Sequence, residues 1–89
     1  MTPRDVTLKR LKMRSIRRGI KEMDLILTDF ADRHLPGLSD AELTTYEAFL
    51  AENDHDIYNW ITTQAEPPAA FAELVTTLRA DAHGLTRPA

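Results

Sequence analysis

One short charged stretch, Arg17-Arg18-Gly19-Ile20-Lys21-Glu22, has the residue types of a functional site. In a helix, Arg18 and Glu22 would lie one turn apart and could form an ion pair. Glycine inside a helix costs about 1 kcal/mol relative to alanine, and it lets another backbone approach closely. A glycine between opposite charges therefore favours a protein-binding surface, although an exposed ion pair of this kind is also common on helices that bind nothing.

The sequence offers little for catalysis or metal binding. Asp54 and Asp56 could serve as paired carboxylates in acid–base chemistry, but helix capping explains Asp54 more simply, and Asp56 would lie in the first turn, where negative charge is favourable. Trp60 fits the core better than a ligand-stacking site. There is no cysteine, and the three histidines stand in separate segments without a cysteine or carboxylate at metal-ligand spacing. We predict that the chain is not an enzyme and has no metal site.

A long helix, predicted from about Ser15 to Ala31 or Arg33, would carry the charged stretch. Apolar residues recur along it at the spacing i, i+4, i+7, i+11 and i+14, and these are Ile16, Ile20, Met23, Leu27 and Phe30. The opposite stripe includes Leu25, which would be an exposed apolar anchor. The predicted partner-binding surface consists of Arg17, Arg18, Gly19, Glu22, Leu25 and Asp29.

The first and third helices have clear start signals. Thr2 is suited to be the N-cap of the first helix, with Pro3 at its first position. Ser39 and Glu42 have the spacing of a capping box at the start of the third helix. The predicted buried sides contain Val6, Leu8 and Leu11 in the first helix, and Leu43, Tyr46 and Leu50 in the third, with Phe49 on the flank of that stripe.

Two further helices follow. Asp54 is the predicted N-cap of a fourth helix, and the stiff Pro67-Pro68 connector separates it from a fifth, for which Gly84 is the predicted C′ residue. The apolar side of the fifth helix contains Phe71, Leu74, Val75, Leu78 and Ala82. The sequence therefore predicts an all-α fold, a compact five-helix bundle that forms a single domain over residues 1–89, with frayed ends at 1–5 and 85–89.

Length and hydropathy limit the class of protein. Eighty-nine residues, of which 43% are hydrophobic, allow one small domain with a thin core. The longest aliphatic run, Leu25-Ile26-Leu27, is far shorter than the ~20 apolar residues that span a bilayer. No signal or transit sequence is recognised. We therefore expect a cytoplasmic protein without membrane insertion.

The charges are segregated along the chain. Residues 1–21 carry eight basic side chains and one acidic side chain, a net charge of +7, whereas residues 22–89 carry three basic and thirteen acidic ones, a net charge of −10. A basic N-terminal segment could contact phosphates of a nucleic acid or a dinucleotide, or an acidic protein, or it could be a solvated helix face. A small helical nucleic-acid-binding or regulatory adaptor protein is therefore an alternative function.

The charged stretch also resembles a family signature. Arg18-Gly19-Ile20-Lys21-Glu22 is similar to the RGxxE motif of the SdhE family, the flavinylation (FAD) assembly factors of succinate dehydrogenase. The resemblance extends from about Leu8 to Leu78. It continues in the same order and spacing through residues 23–27, Phe30, residues 38–43 and the segment Asn53-Asp54-His55-Asp56-Ile57-Tyr58-Asn59-Trp60-Ile61.

This resemblance implies a function. Proteins of the SdhE family bind the flavoprotein subunit of succinate dehydrogenase, and in some lineages that of fumarate reductase, and promote covalent attachment of FAD. It implies that Arg18, Gly19 and Glu22 contact the partner and that the protein acts as a chaperone. FAD would belong to the partner subunit, and the protein would have no cofactor of its own. We expect a monomer that binds this flavoprotein and no nucleic acid.

Overall fold

The computed structural model describes residues 1–16, 18–63 and 65–86. Within them the chain forms five α-helices and two short 3₁₀ turns, which confirms the predicted all-α bundle. The helices are α1 (Pro3–Ser15), α2 (Lys21–His34), α3 (Asp40–Leu50), α4 (Asp54–Thr62) and α5 (Ala72–Thr86), and the 3₁₀ turns are Leu35–Gly37 and Ala69–Phe71. Helix α2 is central and packs against both α1 and α5, while α4 packs against α5.

Helix α1 begins as its sequence predicts. The Thr2 hydroxyl accepts a hydrogen bond from the Asp5 amide at 3.1 Å, and the Asp5 carboxylate accepts one from the Thr2 amide at 3.2 Å, so the capping box is complete. Arg4 then forms an ion pair of 3.0 Å with Asp40 at the start of α3. Residues 1–5, which we expected to fray, are thus part of a capped and anchored helix start. Val6 is 48% exposed, and the prediction that it is buried is wrong.

Helix α2 begins later than predicted. Ile16 and Ile20 both have extended backbones, so the stretch between α1 and α2 is a connector, and the predicted continuous helix from Ser15 is wrong. The break has a local cause, because glycine and β-branched residues are weak helix formers and the Arg18 amide is bonded to the Asp24 side chain. From Lys21 onward the predicted stripe is confirmed, with Met23, Leu27 and Phe30 buried together with Ile26 and Ala31.

Helices α3 and α4 each start at a side-chain cap. The Ser39–Glu42 capping box is present as predicted, with hydrogen bonds of 2.9 and 3.2 Å. Helix α4 is capped by Asn53, whose side-chain oxygen accepts a hydrogen bond from the His55 amide at 2.8 Å. The prediction that Asp54 is the N-cap is therefore wrong by one residue. Asparagine and aspartate cap helices about equally well, and the earlier position leaves the Asp54 carboxylate free for other bonds.

The core is aromatic at its centre. Tyr46 and Phe49 on α3 are completely buried, and Phe49 contacts the rings of Trp60 and Phe71. The Tyr46 hydroxyl lies 2.6 Å from the buried Ser15 hydroxyl, which satisfies both groups. Burial raises the pKa of Tyr46 to about 12, because the phenolate would lose its hydration. Trp60 is half-buried and packs against this core, as expected.

Helix α5 closes the bundle. Phe71, Val75, Leu78 and Ala82 are buried, in agreement with the predicted apolar side. The helix continues to Thr86 and therefore includes Gly84, so the prediction that Gly84 terminates it is wrong. A glycine near the end of a helix weakens it without necessarily ending it. Within the described part of the chain, no helix has both the length and the apolar character needed to cross a bilayer.

Candidate protein-binding site

The Arg18 side chain ties together three helices. Its Nε and Nη2 atoms lie 2.9 and 2.7 Å from Asp54 Oδ1 at the start of α4. Nη1 donates to the carbonyl oxygen of Arg14 in the last turn of α1, at 3.1 Å, and Nη2 donates to the Leu50 carbonyl oxygen at the end of α3, at 3.0 Å. A cation at two helix C-termini and a carboxylate at a helix N-terminus both complement the helix dipoles. Only 14% of the Arg18 side chain is exposed.

Gly19 completes this junction, which we call the RG corner and define as Arg18, Gly19, Asp24 and Asp54. The Gly19 amide donates to Asp54 Oδ2 at 3.0 Å, and the Arg18 amide donates to the Asp24 carboxylate on α2. A Cβ atom on Gly19 would lie 3.2 Å from Asp54 Oδ2, which is a tight contact. The glycine therefore admits a carboxylate of the same chain. Gly19 was predicted to lie inside a helix and to let the backbone of another protein approach. The structure instead places it before α2, against Asp54 of the same chain.

The charge state of Asp54 follows from these bonds. Partial burial alone would raise the pKa of Asp54, but the Gly19 amide and the Arg18 guanidinium favour the carboxylate and together outweigh burial. The pKa of Asp54 is consequently lowered from its ordinary value of 3.8. Asp54 stays ionised near neutral pH and holds the RG corner closed.

A pH dependence of stability follows from the lowered pKa. A carboxyl group whose pKa is lower in the folded state contributes stability above its unfolded pKa and loses it as the pH falls through the folded pKa. Wild type should be more stable than Asp54→Asn at about pH 7, and the difference should shrink as the pH falls below about 3.8. Urea denaturation of both proteins across this range measures it. A difference that stays constant down to about pH 3 would show that Asp54 ionisation does not hold the corner.

The outward side of α2 retains the exposed residues of the predicted surface. We call Glu22, Leu25 and Asp29 the α2 outer face. Glu22 is exposed and has no ion pair with any residue that the structure describes, while Leu25 is 50% exposed. Asp29 is partly covered and pairs with Arg33 at 3.1 Å. Arg17, also predicted to contact a partner, lies outside the described residues.

The predicted Arg18–Glu22 ion pair is wrong. Arg18 lies in the connector before α2 and is bonded to Asp54, so it cannot stack on Glu22 as one helical turn stacks on the next. Glu22 instead occupies the first turn of α2, where the helix dipole favours a negative charge without any cation. Arg18 is therefore largely buried within the fold, whereas Glu22 is exposed at the start of α2.

The basic N-terminal segment is largely neutralised within the fold. Five of its cationic side chains form ion pairs with the body of the bundle, which are Arg4–Asp40, Arg10–Glu47, Lys12–Asp32, Arg14–Glu47 and Arg18–Asp54, at 2.7–3.4 Å. The first four pairs attach α1 to α2 and α3, and the fifth attaches the connector after α1 to α4. A nucleic-acid-binding surface depends on unpaired cations, and among the residues that the structure describes in this segment far fewer cations are unpaired than the sequence alone indicates.

Asp56 and Asp24 show the limits of local sequence patterns. Asp56 is exposed in the first turn of α4, as predicted, and does not take part in the RG corner. Asp24 was not among the predicted site residues, although it anchors the Arg18 backbone. Because the predicted helix began at about Ser15, Asp24 lay in its middle and nothing in the sequence indicated this role. Among the described residues, no group of three potential ligand side chains could hold a metal ion.

Comparison of the sequence with known proteins shows the family to which the chain belongs. The family described as "flavinator of succinate dehydrogenase" matches residues 9–82. The chain is similar to proteins named succinate dehydrogenase assembly factor 2, mitochondrial. It is 48% identical over 59 residues to the one from Meyerozyma guilliermondii, 50% over 58 residues to that from Debaryomyces hansenii, and 38% over 74 residues to that from Mycosarcoma maydis.

These alignments cover 66%, 65% and 83% of this chain, but only 44%, 41% and 31% of the three relatives. The chain therefore spans less than half the length of these relatives. All three relatives are named as mitochondrial proteins, so the prediction of a cytoplasmic location is wrong on this comparison. The resemblance that we inferred from the RGxxE segment is confirmed, because the matching region runs from the middle of α1 into the second half of α5 and includes α2, α3 and α4 completely. The chain belongs to the family of flavinators of succinate dehydrogenase.

Proposed function

We propose that this protein binds the flavoprotein subunit of succinate dehydrogenase and promotes covalent attachment of FAD to it. The family's description supports this proposal, as do the names of relatives that are similar in sequence. The proposal also includes the flavoprotein subunit of fumarate reductase, because the resemblance to the SdhE family implies it as a second partner.

The observation that carries the proposal is the α2 outer face beside the RG corner. Leu25 offers an apolar side chain that a partner can cover, and Glu22 offers a carboxylate without a cation of its own. An apolar contact supplies affinity, whereas a charged group fixes the orientation of the partner. Because the RG corner is bonded to four helices, it can hold the start of α2 in one position before the partner arrives.

The proposed mechanism is that of a chaperone rather than an enzyme. The described residues provide no nucleophile with an adjacent base, so the flavin bond would be formed by groups of the partner, and FAD would belong to the partner. Binding of the α2 outer face would stabilise the partner conformation in which FAD and its acceptor side chain are aligned. Such a factor can raise the population of that conformation only by the difference between its affinities for the aligned and unaligned states.

Reconstitution with purified proteins tests the proposal. The flavoprotein subunit, prepared without covalent flavin, is incubated with FAD in the presence or absence of this protein, and protein-bound flavin fluorescence is followed in a denaturing gel. We expect faster formation of covalent flavin when the protein is present and the two proteins co-purify. Equal rates, or a failure of the two proteins to associate, would contradict the proposed function.

A further inference from the structure

A groove of about 330 Å³ lies between the C-terminal part of α2, the first half of α3 and the first half of α5. Its apolar lining includes Phe30, which is almost completely buried, and the half-buried Leu38 and Leu74. The open side is bordered by small residues, including Ala41 and Thr77. A concave surface of this size, with an apolar lining, can accept one or two side chains of another protein.

Two carboxylates border this groove. Glu42 keeps its negative charge because the hydrogen bonds from the backbone and the side chain of Ser39 lower its pKa. Glu73 is exposed and has no ion pair with any residue in the described ranges. The histidine in the lining, His34, is already bonded to Asp81 at 2.9 Å. The border of the groove is therefore negative, and an apolar group that carries a positive charge beside it would complement both features.

We propose that this groove is a second docking surface for the flavoprotein partner, and that it receives a segment in which an apolar side chain is flanked by lysine or arginine. The inference rests on the proposed function, since it takes the same partner. The negative border disfavours an anionic lipid surface. The concave shape also favours inserted side chains over a flat partner.

The groove and Glu22 of the α2 outer face lie toward opposite ends of one helix, whereas Asp29 of that face directly precedes Phe30 of the groove. Glu22 is in the first turn of α2 and His34 is its last residue, so at 1.5 Å per residue they are separated by about 18 Å along the axis. Two contacts on one rigid helix make the second binding event intramolecular, which raises affinity without a larger single surface. Two separated contacts would also fix the angle at which the bundle meets the flavoprotein.

The test measures binding of four variants to the flavoprotein subunit that lacks covalent flavin. Ala41→Trp fills the groove from an exposed position, and Glu73→Lys reverses the charge of its border. Glu66→Lys is the matched control, because it makes the same charge change at an exposed position outside the groove. Glu22→Ala tests the α2 outer face separately. Circular dichroism and thermal unfolding verify that each variant remains folded.

We expect Ala41→Trp and Glu73→Lys each to weaken binding about tenfold, with Glu66→Lys close to wild type. If both groove variants bind with wild-type affinity, the groove is not a docking surface and the inference is overturned. If Glu22→Ala weakens binding in that case, the proposed function still stands, because the α2 outer face then binds the flavoprotein. Equal weakening by Glu73→Lys and Glu66→Lys would also overturn it, because the effect would then be one of overall charge.

If wild type self-associates and Ala41→Trp abolishes this self-association, the groove binds a second copy of this chain and the inference fails. Absence of any wild-type binding would remove the proposed function as well.

Discussion

Replacing Arg18 with alanine is expected to lower the free energy of unfolding by about 2–4 kcal/mol. The substitution leaves the partly buried Asp54 carboxylate without its cation and removes the donor for the carbonyl groups of Arg14 and Leu50. All three acceptors lie where helices end or begin, so the contacts among α1, α3 and α4 should loosen together. Chemical denaturation followed by the fluorescence of Trp60 measures the change.

The control for this prediction is Arg10→Ala. Arg10 also forms an ion pair, with Glu47 at 3.0 Å, but both side chains are at least 40% exposed. Exposed pairs of this type contribute at most about 1 kcal/mol. Arg18→Lys should fall between these extremes, because lysine keeps the charge but cannot reproduce the planar fork of donors. Equal stability losses for Arg18→Ala and Arg10→Ala would contradict the structural role of Arg18.

Changing Glu22 to glutamine is expected to slow covalent flavin attachment to the partner about tenfold, with little loss of stability. Glu22 is exposed and unpaired within the described residues, so the substitution disturbs no contact of the bundle beyond a favourable interaction with the helix dipole. The loss should arise from weaker orientation on the partner. Initial rates of flavin incorporation, measured for both proteins at matched concentrations, provide the comparison.

Glu66→Gln is the matched control for Glu22, because it removes the same charge at another exposed position. It should support flavin attachment at the wild-type rate. If both variants slow the reaction equally, the effect reflects net charge and not the α2 outer face. If neither does, Glu22 is not the side chain that orients the partner, and Leu25 becomes the residue to test.

The elements that sequence predicted well depend on neighbours in the chain. The capping boxes at Thr2 and Ser39 join residues three positions apart, and the buried stripes follow the helical period. Both signals are complete within one or two turns, so they can be read without knowing the fold. The same holds for the Pro67-Pro68 connector, which separates α4 from α5 as predicted.

The RG corner could not be predicted in this way. Arg18 and Asp54 are separated by 36 positions, and only the folded chain brings the start of α4 next to the connector before α2. The helical period misled the prediction because Ile16 and Ile20 keep the spacing of α2 although their backbones are extended. A connector that preserves the phase of the next helix has the same apolar pattern as the helix itself. The placement of Gly19, Glu22 and Asp54 therefore required the structure.

The ion pairs that attach α1 to the bundle have a consequence for the way this chain folds. Before any helix is docked, a strongly positive first quarter and a strongly negative remainder attract each other over distances at which apolar contacts do not yet act. Collapse is thereby biased toward arrangements that place residue 4 near residue 40 and residue 18 near residue 54. Dissolved ions limit the range of this attraction to about 8 Å at physiological ionic strength. Added salt should therefore slow folding more than it lowers the stability of the folded protein.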